Sequence, residues 1–423
     1  MIINKRSNSI TCHSLHGAHI EGLGKKSKKG LPWFKKGPTE GRRASYTSPP
    51  SNEPKGLGSR NGTSKSMTSL HSLEKEFTFN HLMTNKVLTV LEQVDDSLEI
   101  PPSSDVERVH RDNYYRVCQI GEGASSTVNM VVDPKRKRFA LKALDPTKCP
   151  SSDDFLAAAL DLAMEVKLLS QLNHENVIKL QGVCSGHFST SFTEEDSEGY
   201  FLILDLLDTV LSDTLARLRK ENKKQQQQQQ QKSKSTFARR RKQVEAKVDT
   251  SMMYERMQTI ALGVVKGMMY LQENGIVIRD LKPANIGFDE YGKVILFDFG
   301  MARKLEECDP DEMCGSPRYM APEVMGGKGY SYKADVYSFG IILYELCSLQ
   351  HAYDDLGKYG NDMEEFNRLV IGNMRPKLDM IACPRTKKLI EDCWNANPTQ
   401  RPSFDEIYKE IIEITSCNGS MTQ

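Results

Sequence analysis

Residues 276–288, IVIRDLKPANIGF, limit what this chain can fold into more than any other stretch. A β-branched apolar run ends abruptly at Arg279-Asp280, and Lys282 and Asn285 follow close behind. The apolar run wants burial. An acid, two cations and a carboxamide at its end cost free energy unless they meet one another or a ligand. A fold that satisfies both demands brings a core strand up beneath a polar site.

The surrounding pattern supplies such a core. Three strand-like runs, YYRVCQI, STVNMVV and RFALKAL, open a folded body near Asn113, divided by residues 121–124 and the Asp133-Pro134 turn. Ser151-Ser152-Asp153-Asp154 has the form of a capping box, and Ala159, Leu162, Ala163, Val166, Leu169 and Leu172 recur behind it at helical spacing. YFLILDLL, residues 200–207, reads as a buried strand; Met257, Ile260, Ala261, Val264, Met268 and Leu271 mark a second helix. From Tyr332 onward the pattern is mostly helical. These stripes are core packing.

Ahead of the body, residues 1–75 are rich in Gly, Ser, Lys and Pro and read as a disordered tail. Within it, Arg42-Arg43-Ala44-Ser45 and Ser48-Pro49 have the form of kinase modification sites, a form that basic linkers also show by chance. Apolar residues return over 77–98 in a helical pattern closed by Pro101-Pro102, so 76–112 is expected to hold a helix and a linker. Two polar insertions interrupt the body, at 185–199 and at 217–250. The second carries seven consecutive glutamines and Arg239-Arg240-Arg241-Lys242, and it too reads as disordered.

Charge is distributed unevenly. Residues 1–65 hold thirteen Lys and Arg against three Glu, about +10, which leaves about −9 for the remainder of a chain of net charge +1. The 217–250 insertion carries about +9. An anionic partner is one use for these basic segments and plain solvation another, but neither interleaves the aromatics that base stacking needs. The ten cysteines are scattered singly, which suits a reducing compartment and argues against a disulfide scaffold or a zinc site. The first residues lack the apolar core of a secretory signal, and no apolar stretch reaches the roughly 18 residues of a membrane span. A cytoplasmic or nuclear location is expected.

Ile120-Gly121-Glu122-Gly123-Ala124-Ser125-Ser126-Thr127-Val128 places two glycines between strand-like runs. Such glycines let the backbone approach a ligand with amides facing phosphate oxygens, and a simple tight hairpin uses them as well. A dinucleotide-binding turn would be followed by a helix, and here a β-rich run follows. Lys142 ends the apolar stretch Phe139-Ala140-Leu141, where a solvent-facing lysine is ordinary. Glu165, however, falls among apolar neighbours of the next helix, where a carboxylate needs a partner. One lysine that meets both this glutamate and the phosphates of a nucleotide accounts for both placements.

With Asp280-Leu281-Lys282-Pro283-Ala284-Asn285 and Phe297-Asp298-Phe299-Gly300 added, residues 113–415 resemble a eukaryotic protein kinase domain. The resemblance implies an α+β, bilobal fold, with a small β-rich N-lobe at 113–204 and a large helical C-lobe at 208–415. A short tail, 416–423, would follow. It implies ATP and Mg2+ as cofactors and a protein with a Ser or Thr acceptor as substrate. By matching position, Ile120, Gly121, Gly123 and Val128 belong to the Gly-rich loop. Ala140, Asp205 and Leu207 surround the ATP ring, with Leu204 at the back of the pocket. Lys142 meets the phosphates and Glu165 steadies it. Asp280 is the catalytic base and Lys282 its cationic companion, while Asn285 and Asp298 hold magnesium. Glu323, in Ala321-Pro322-Glu323, is expected to pair with Arg401 in a folding role, and Asp335 fits a further structural signature.

An Asp and a Lys in this order, with Ser316 in Gly315-Ser316-Pro317-Arg318-Tyr319, resemble serine/threonine kinases more than tyrosine kinases. Asp335-Val336-Tyr337-Ser338-Phe339-Gly340, Cys393-Trp394, Pro398 and Arg401-Pro402-Ser403-Phe404 resemble the tyrosine-kinase-like group of serine/threonine kinases. Two positions depart from the pattern. Ser126 stands at the third loop glycine, and Ile278 replaces the histidine usual before Arg-Asp, where an aliphatic chain can fill the same apolar slot beside Phe299. The intact Lys142, Asp280 and Asp298 set favours an active enzyme over the alternative, a nucleotide-binding pseudokinase scaffold recruiting partners through its basic segments.

Arg279 raises a question of control. In such kinases this arginine often pairs with a phosphorylated activation loop, yet residues 301–314, MARKLEECDPDEMC, contain no Ser, Thr or Tyr. Asp311 or Glu312 is expected to pair with Arg279 instead; a solvated acidic loop is the competing expectation.

Overall fold

The three N-terminal strand-like runs become one half of a six-stranded sheet, in the order β1-β5-β6-β4-β3-β2. The chain's computed structural model describes residues 84–98, 100–102, 104–192, 199–232, 250–354 and 363–416, all within one compact unit. The sheet comprises β1 (Glu107–Val109), β2 (Tyr115–Glu122), β3 (Ser126–Val132), β4 (Arg138–Leu144), β5 (Leu180–Cys184) and β6 (Phe201–Asp205). Its register sets Gly121 opposite Val128, Val128 opposite Lys142, Ala140 opposite Leu204 and Phe139 opposite Asp205. Since side chains alternate along a strand, Ala140 and Lys142 share one face of β4. The folded body begins before Asn113, in contrast to the boundary read from the sequence. β1 is too short to announce itself by alternation, and its parallel pairing with β5 is non-local.

Two helices lie against this lobe. α1 (Asn85–Ser97) falls within the 77–98 stretch expected to be helical, and α2 (Ser152–Leu169) carries Glu165. The capping box is present: the Ser151 hydroxyl accepts the Asp154 N–H at 3.1 Å and donates to the Asp154 carboxylate at 2.6 Å.

Beyond β6, α3 (Leu211–Lys232) leads away, and α4 (Thr250–Arg256) passes through a π-turn, Met257–Ala261, into α5 (Leu262–Glu273). β7 (Thr209–Val210) joins the hairpin of β9 (Ile286–Phe288) and β10 (Val294–Leu296), while β8 (Ile276–Val277) pairs with β11 (Arg303–Lys304). Then come α6 (Pro322–Met325), α7 (Tyr332–Ser348), α8 (Met363–Ile371), α9 (Pro384–Cys393) and α10 (Phe404–Ser416). Every residue of α7 from Ala334 to Ser348 is buried, so this helix is the axis of the lower lobe. Among the described residues no helix is long and apolar enough to cross a membrane.

A second expectation needs correction: the sequence of 217–250 reads as disordered, yet α3 continues through its first part to Lys232. Leu211 and Leu215 are fully buried and supply a nucleus, and glutamine is a fair helix former, so the helix propagates outward from the lobe. Residues 233–249 lie outside the described residues, as do the tail 1–75, with its Arg42-Arg43-Ala44-Ser45 site, and residues 417–423.

Candidate active site

The upper wall of the site is the sheet. Gly123 N–H donates to the Ser126 carbonyl at 2.9 Å, closing the turn between β2 and β3. Lys148 then reaches that same carbonyl at 2.8 Å and the Glu122 carboxylate at 3.2 Å, pinning the turn from behind. Nothing in the sequence pattern singled Lys148 out. Ala140 and Leu204 are buried on β4 and β6, and the Asp205 carboxylate accepts from the Gln181 amide at 2.7 Å. Leu207 lies just beyond β6. A Cβ placed on Gly287 would come within 2.5 Å of the Leu207 Cδ1. Gly287 thus lets Leu207 close against the β9 strand, and a glycine inside a strand run was the signal that could have shown it.

Lys142 bridges the lobes. Its ammonium lies 2.6 Å from the Glu165 carboxylate and 2.9 Å from that of Asp298. Burial works against the charged lysine, but Asp298 and Glu165 outweigh it and hold its pKa above the usual lysine range. The same ammonium holds Asp298 below the usual carboxylate range. Glu165 also accepts the Phe299 N–H at 3.3 Å, and Phe299 is itself buried, so the Asp-Phe-Gly turn is locked to α2.

The stretch that follows β8 resolves its polar cluster by mutual pairing. Ser316 N–H donates to one Asp280 oxygen at 2.8 Å, and the Lys282 ammonium reaches the other at 2.6 Å. Lys282 also donates to the Ser316 hydroxyl at 2.9 Å. The Asn285 amide nitrogen donates to the Asp280 carbonyl at 3.0 Å, which commits its donor and leaves its oxygen for another use. Ile278 is buried in the same apolar core as Phe299, in keeping with a packing replacement.

Arg279 holds the left-handed region at φ 67°, a costly place for this residue. Asp335, on α7, fixes it there by accepting the Ile278 N–H at 2.9 Å and the Arg279 N–H at 3.1 Å. Burial pushes the Asp335 carboxyl up to about 6 despite those two donors. Gly315, at φ 112°, crosses so near that a Cβ there would stand 2.5 Å from the Arg279 carbonyl oxygen. The Arg279 guanidinium pairs with Glu312, donates to the Met301 carbonyl at 2.6 Å and lies over the Tyr330 ring at 5.5 Å. Of the two acids expected there, Glu312 is the partner; Asp311 is exposed, its N–H turned to Asp309. Tyr330, which also donates to the Cys314 carbonyl, was not foreseen.

Asn285 and Asp298 stand at the open end of the β9–β10 hairpin, tied by the Phe297 N–H to the Asn285 carbonyl at 3.1 Å. Their carboxamide and carboxylate oxygens are the hard donors that a magnesium ion takes, usually with waters and phosphates completing its shell. The donor set fits that ion, and the Lys142 ammonium beside it fits a polyphosphate.

Two kinds of comparison bear on the whole. The chain is 38% identical over 156 residues to the serine/threonine-protein kinase STY46 of Arabidopsis thaliana, covering 37% of this chain and 26% of that protein. It is 28% identical over 313 residues to the dual specificity protein kinase shkB of Dictyostelium discoideum, 73% of this chain and 41% of that one. The chain thus spans between about a quarter and two fifths of the length of these relatives. Both agree with the resemblance to the tyrosine-kinase-like group. The model of the protein kinase domain matches residues 114–411, most of the chain and all of the clustered residues, and so the chain belongs to the protein kinase domain family.

Proposed function

We propose that this chain is an ATP- and magnesium-dependent protein kinase that phosphorylates serine or threonine in other proteins. The carrying observation is the triangle of Asp280, Lys282 and Ser316, set beside the Lys142–Glu165 pair. Asp280, with both carboxylate oxygens already oriented, accepts the proton of the acceptor hydroxyl as that oxygen bonds to the γ-phosphorus and the bond to ADP breaks. Lys282 offsets charge on the transferred group, and Lys142 positions the phosphates of the nucleotide. Magnesium, when held by Asn285 and Asp298, would neutralise those phosphates. Ile120, Val128, Ala140, Asp205 and Leu207 would enclose the base and ribose, with the backbone at Gly121 and Gly123 over the phosphates. All cysteines among the described residues are free thiols, which supports a reducing compartment such as cytoplasm or nucleus.

The test is phosphate transfer from labelled ATP to a basic protein acceptor. Asp280→Asn should lower kcat by about 10²–10⁴-fold while nucleotide binding persists. Nucleotide binding by the wild-type chain with no transfer under any magnesium concentration would favour the pseudokinase scaffold instead.

Regulation follows from the same site. Glu312 supplies the anion that Arg279 faces, so the activation segment is ordered without a phosphate. The absence of any hydroxyl side chain over residues 301–314 supports this reading.

A further inference from the structure

α2 buries most of its circumference: ten of its residues are buried, and a narrow stripe that includes Asp161 and Lys167, each about 40% exposed, is what remains toward solvent. Buried positions sweep from Phe155 and Leu156 through Ala158, Ala159, Leu162 and Ala163 to Leu169, far wider than the stripe that packing on one sheet requires. What covers the outer side is α1. Its Val87, Leu91, Val94 and Leu98 recur at helical spacing and are all buried, Leu91 completely. At its start Lys86 lies 3.3 Å from Asp153, the first turn of α2.

α1 has little reason to be a helix alone. It spans 13 residues and has no acid in its first turn and no base in its last. It ends instead on Asp95 and Asp96, the wrong sign for that end of a helix dipole. Asp95 has another use. Its carboxylate accepts the Phe188 N–H at 2.6 Å, the Ser189 N–H at 3.0 Å and the Ser189 hydroxyl at 2.7 Å. The turn it holds carries Phe192, whose ring meets that of Phe155 on α2 edge-on at 5.1 Å. Asp95 therefore grips α2 a second time, through this turn.

We propose that α1 is a built-in positioning segment of the kinase, in which Leu91 and Asp95 hold α2 where Glu165 can engage Lys142. The inner and lower sides of α2 are held by that pair and by Arg303, 2.6 Å from Asp161 on the activation segment side. The outer side is held by α1, which lies ahead of the matched residues 114–411. The inference rests on the kinase reading, but it makes a claim about α2 that can be read without catalysis.

The experiment uses the full chain with Leu91→Ala, Asp95→Asn and the volume-conserving Leu91→Met. Hydrogen exchange of the α2 amides should quicken by about tenfold or more in the first two variants, while α7 stays protected. Phosphate transfer should show a raised KM for ATP and a lowered kcat, about tenfold together, with KM for the protein acceptor unchanged. Leu91→Met should restore both readouts. Unchanged α2 exchange in Leu91→Ala and Asp95→Asn would overturn the proposal. So would activity that falls only in proportion to unfolded protein, with KM for ATP unmoved. A wild-type chain without transfer activity would sink the kinase reading alone, since the exchange measurement still decides the role of α1.

Discussion

Two arginine–glutamate pairs in the lower lobe look alike in sequence terms and are built very differently. Arg401 is wholly buried and meets both Glu323 oxygens, at 2.6 and 2.7 Å. Its remaining donors go to the carbonyls of Asn395 and Lys333, and its plane lies over Tyr337. Arg279 is equally buried but meets Glu312 through one nitrogen, and Glu312 keeps a fifth of its side chain in water. The first pair joins α6 to the turn before α10, both fixed by the core. The second joins the catalytic stretch to a segment with little regular structure of its own. A fully satisfied, two-pronged pair acts as a staple of the fold, whereas a one-pronged pair at the edge sets the position of a loop.

The sharpest way to break this contrast is Glu323→Gln. It leaves the Arg401 charge buried with half its partner gone, and about 3–5 kcal/mol of unfolding free energy should be lost. Urea unfolding would show this as a lower midpoint, with kcat per folded molecule little changed. A variant as stable as wild type would mean that Arg401 is carried by its carbonyl partners and that the staple is not the glutamate.

How far each pair was legible follows from where its partner lies in the chain. Glu165 could be read because a carboxylate among apolar neighbours is costly and advertises a partner, and Asp280 and Asn285 because they close an apolar run; the roles of Lys142 and Asp298 came from the resemblance of their motifs. Glu312 was half legible: an acidic loop without hydroxyl side chains pointed to a carboxylate, but only geometry separates Glu312 from Asp311. Lys148, Gly287 and Tyr330 were not legible. Each acts through a contact with a backbone atom or an ordinary apolar chain, and such contacts leave no pattern at any period. The fold divides in the same way. β4 and α2 announce themselves by alternation and helical spacing, whereas β1, three residues long, exists only because β5 is there to pair with it. α3 runs on to Lys232 because its buried start overrides a polar composition that taken alone reads as coil.

A smaller effect sharpens the contrast through pH. The backbone under Arg279 rests on Asp335, whose carboxyl burial pushes up to about 6. An acid with a raised folded pKa contributes stability that is present below its unfolded value of 3.8 and is lost as pH rises through about 6. Activity should move the other way, because the neutral carboxyl is the poorer acceptor for the Ile278 and Arg279 N–H groups. Between pH 7 and pH 5, kcat should therefore fall about tenfold around a midpoint near 6, without unfolding. Asp335→Asn should lose most activity at every pH and with it this acid limb. A kcat profile flat down to pH 5 would place the control of Arg279 elsewhere.

The smallest expected effect is at the edge pair itself. Glu312→Gln keeps shape and removes the charge, so the loop loses its anion while the core loses nothing. A partly exposed pair of this kind is worth roughly 1 kcal/mol, which corresponds to about a fivefold fall in kcat. The thermal midpoint should stay within about 1 °C, in contrast to Glu323→Gln. Glu312→Asp should recover part of the loss, since a shorter acid still reaches toward Arg279. Phosphatase treatment of wild type should change nothing, because the anion that orders the segment is carried by the chain. If Glu312→Gln is fully active, the Tyr330 bond to Cys314 and the Arg279 bond to Met301 already fix the segment. The glutamate would then tune affinity for charge at the loop and not its order. If phosphatase abolishes activity instead, a hydroxyl outside residues 301–314 carries the switch, and Arg279 must exchange Glu312 for it.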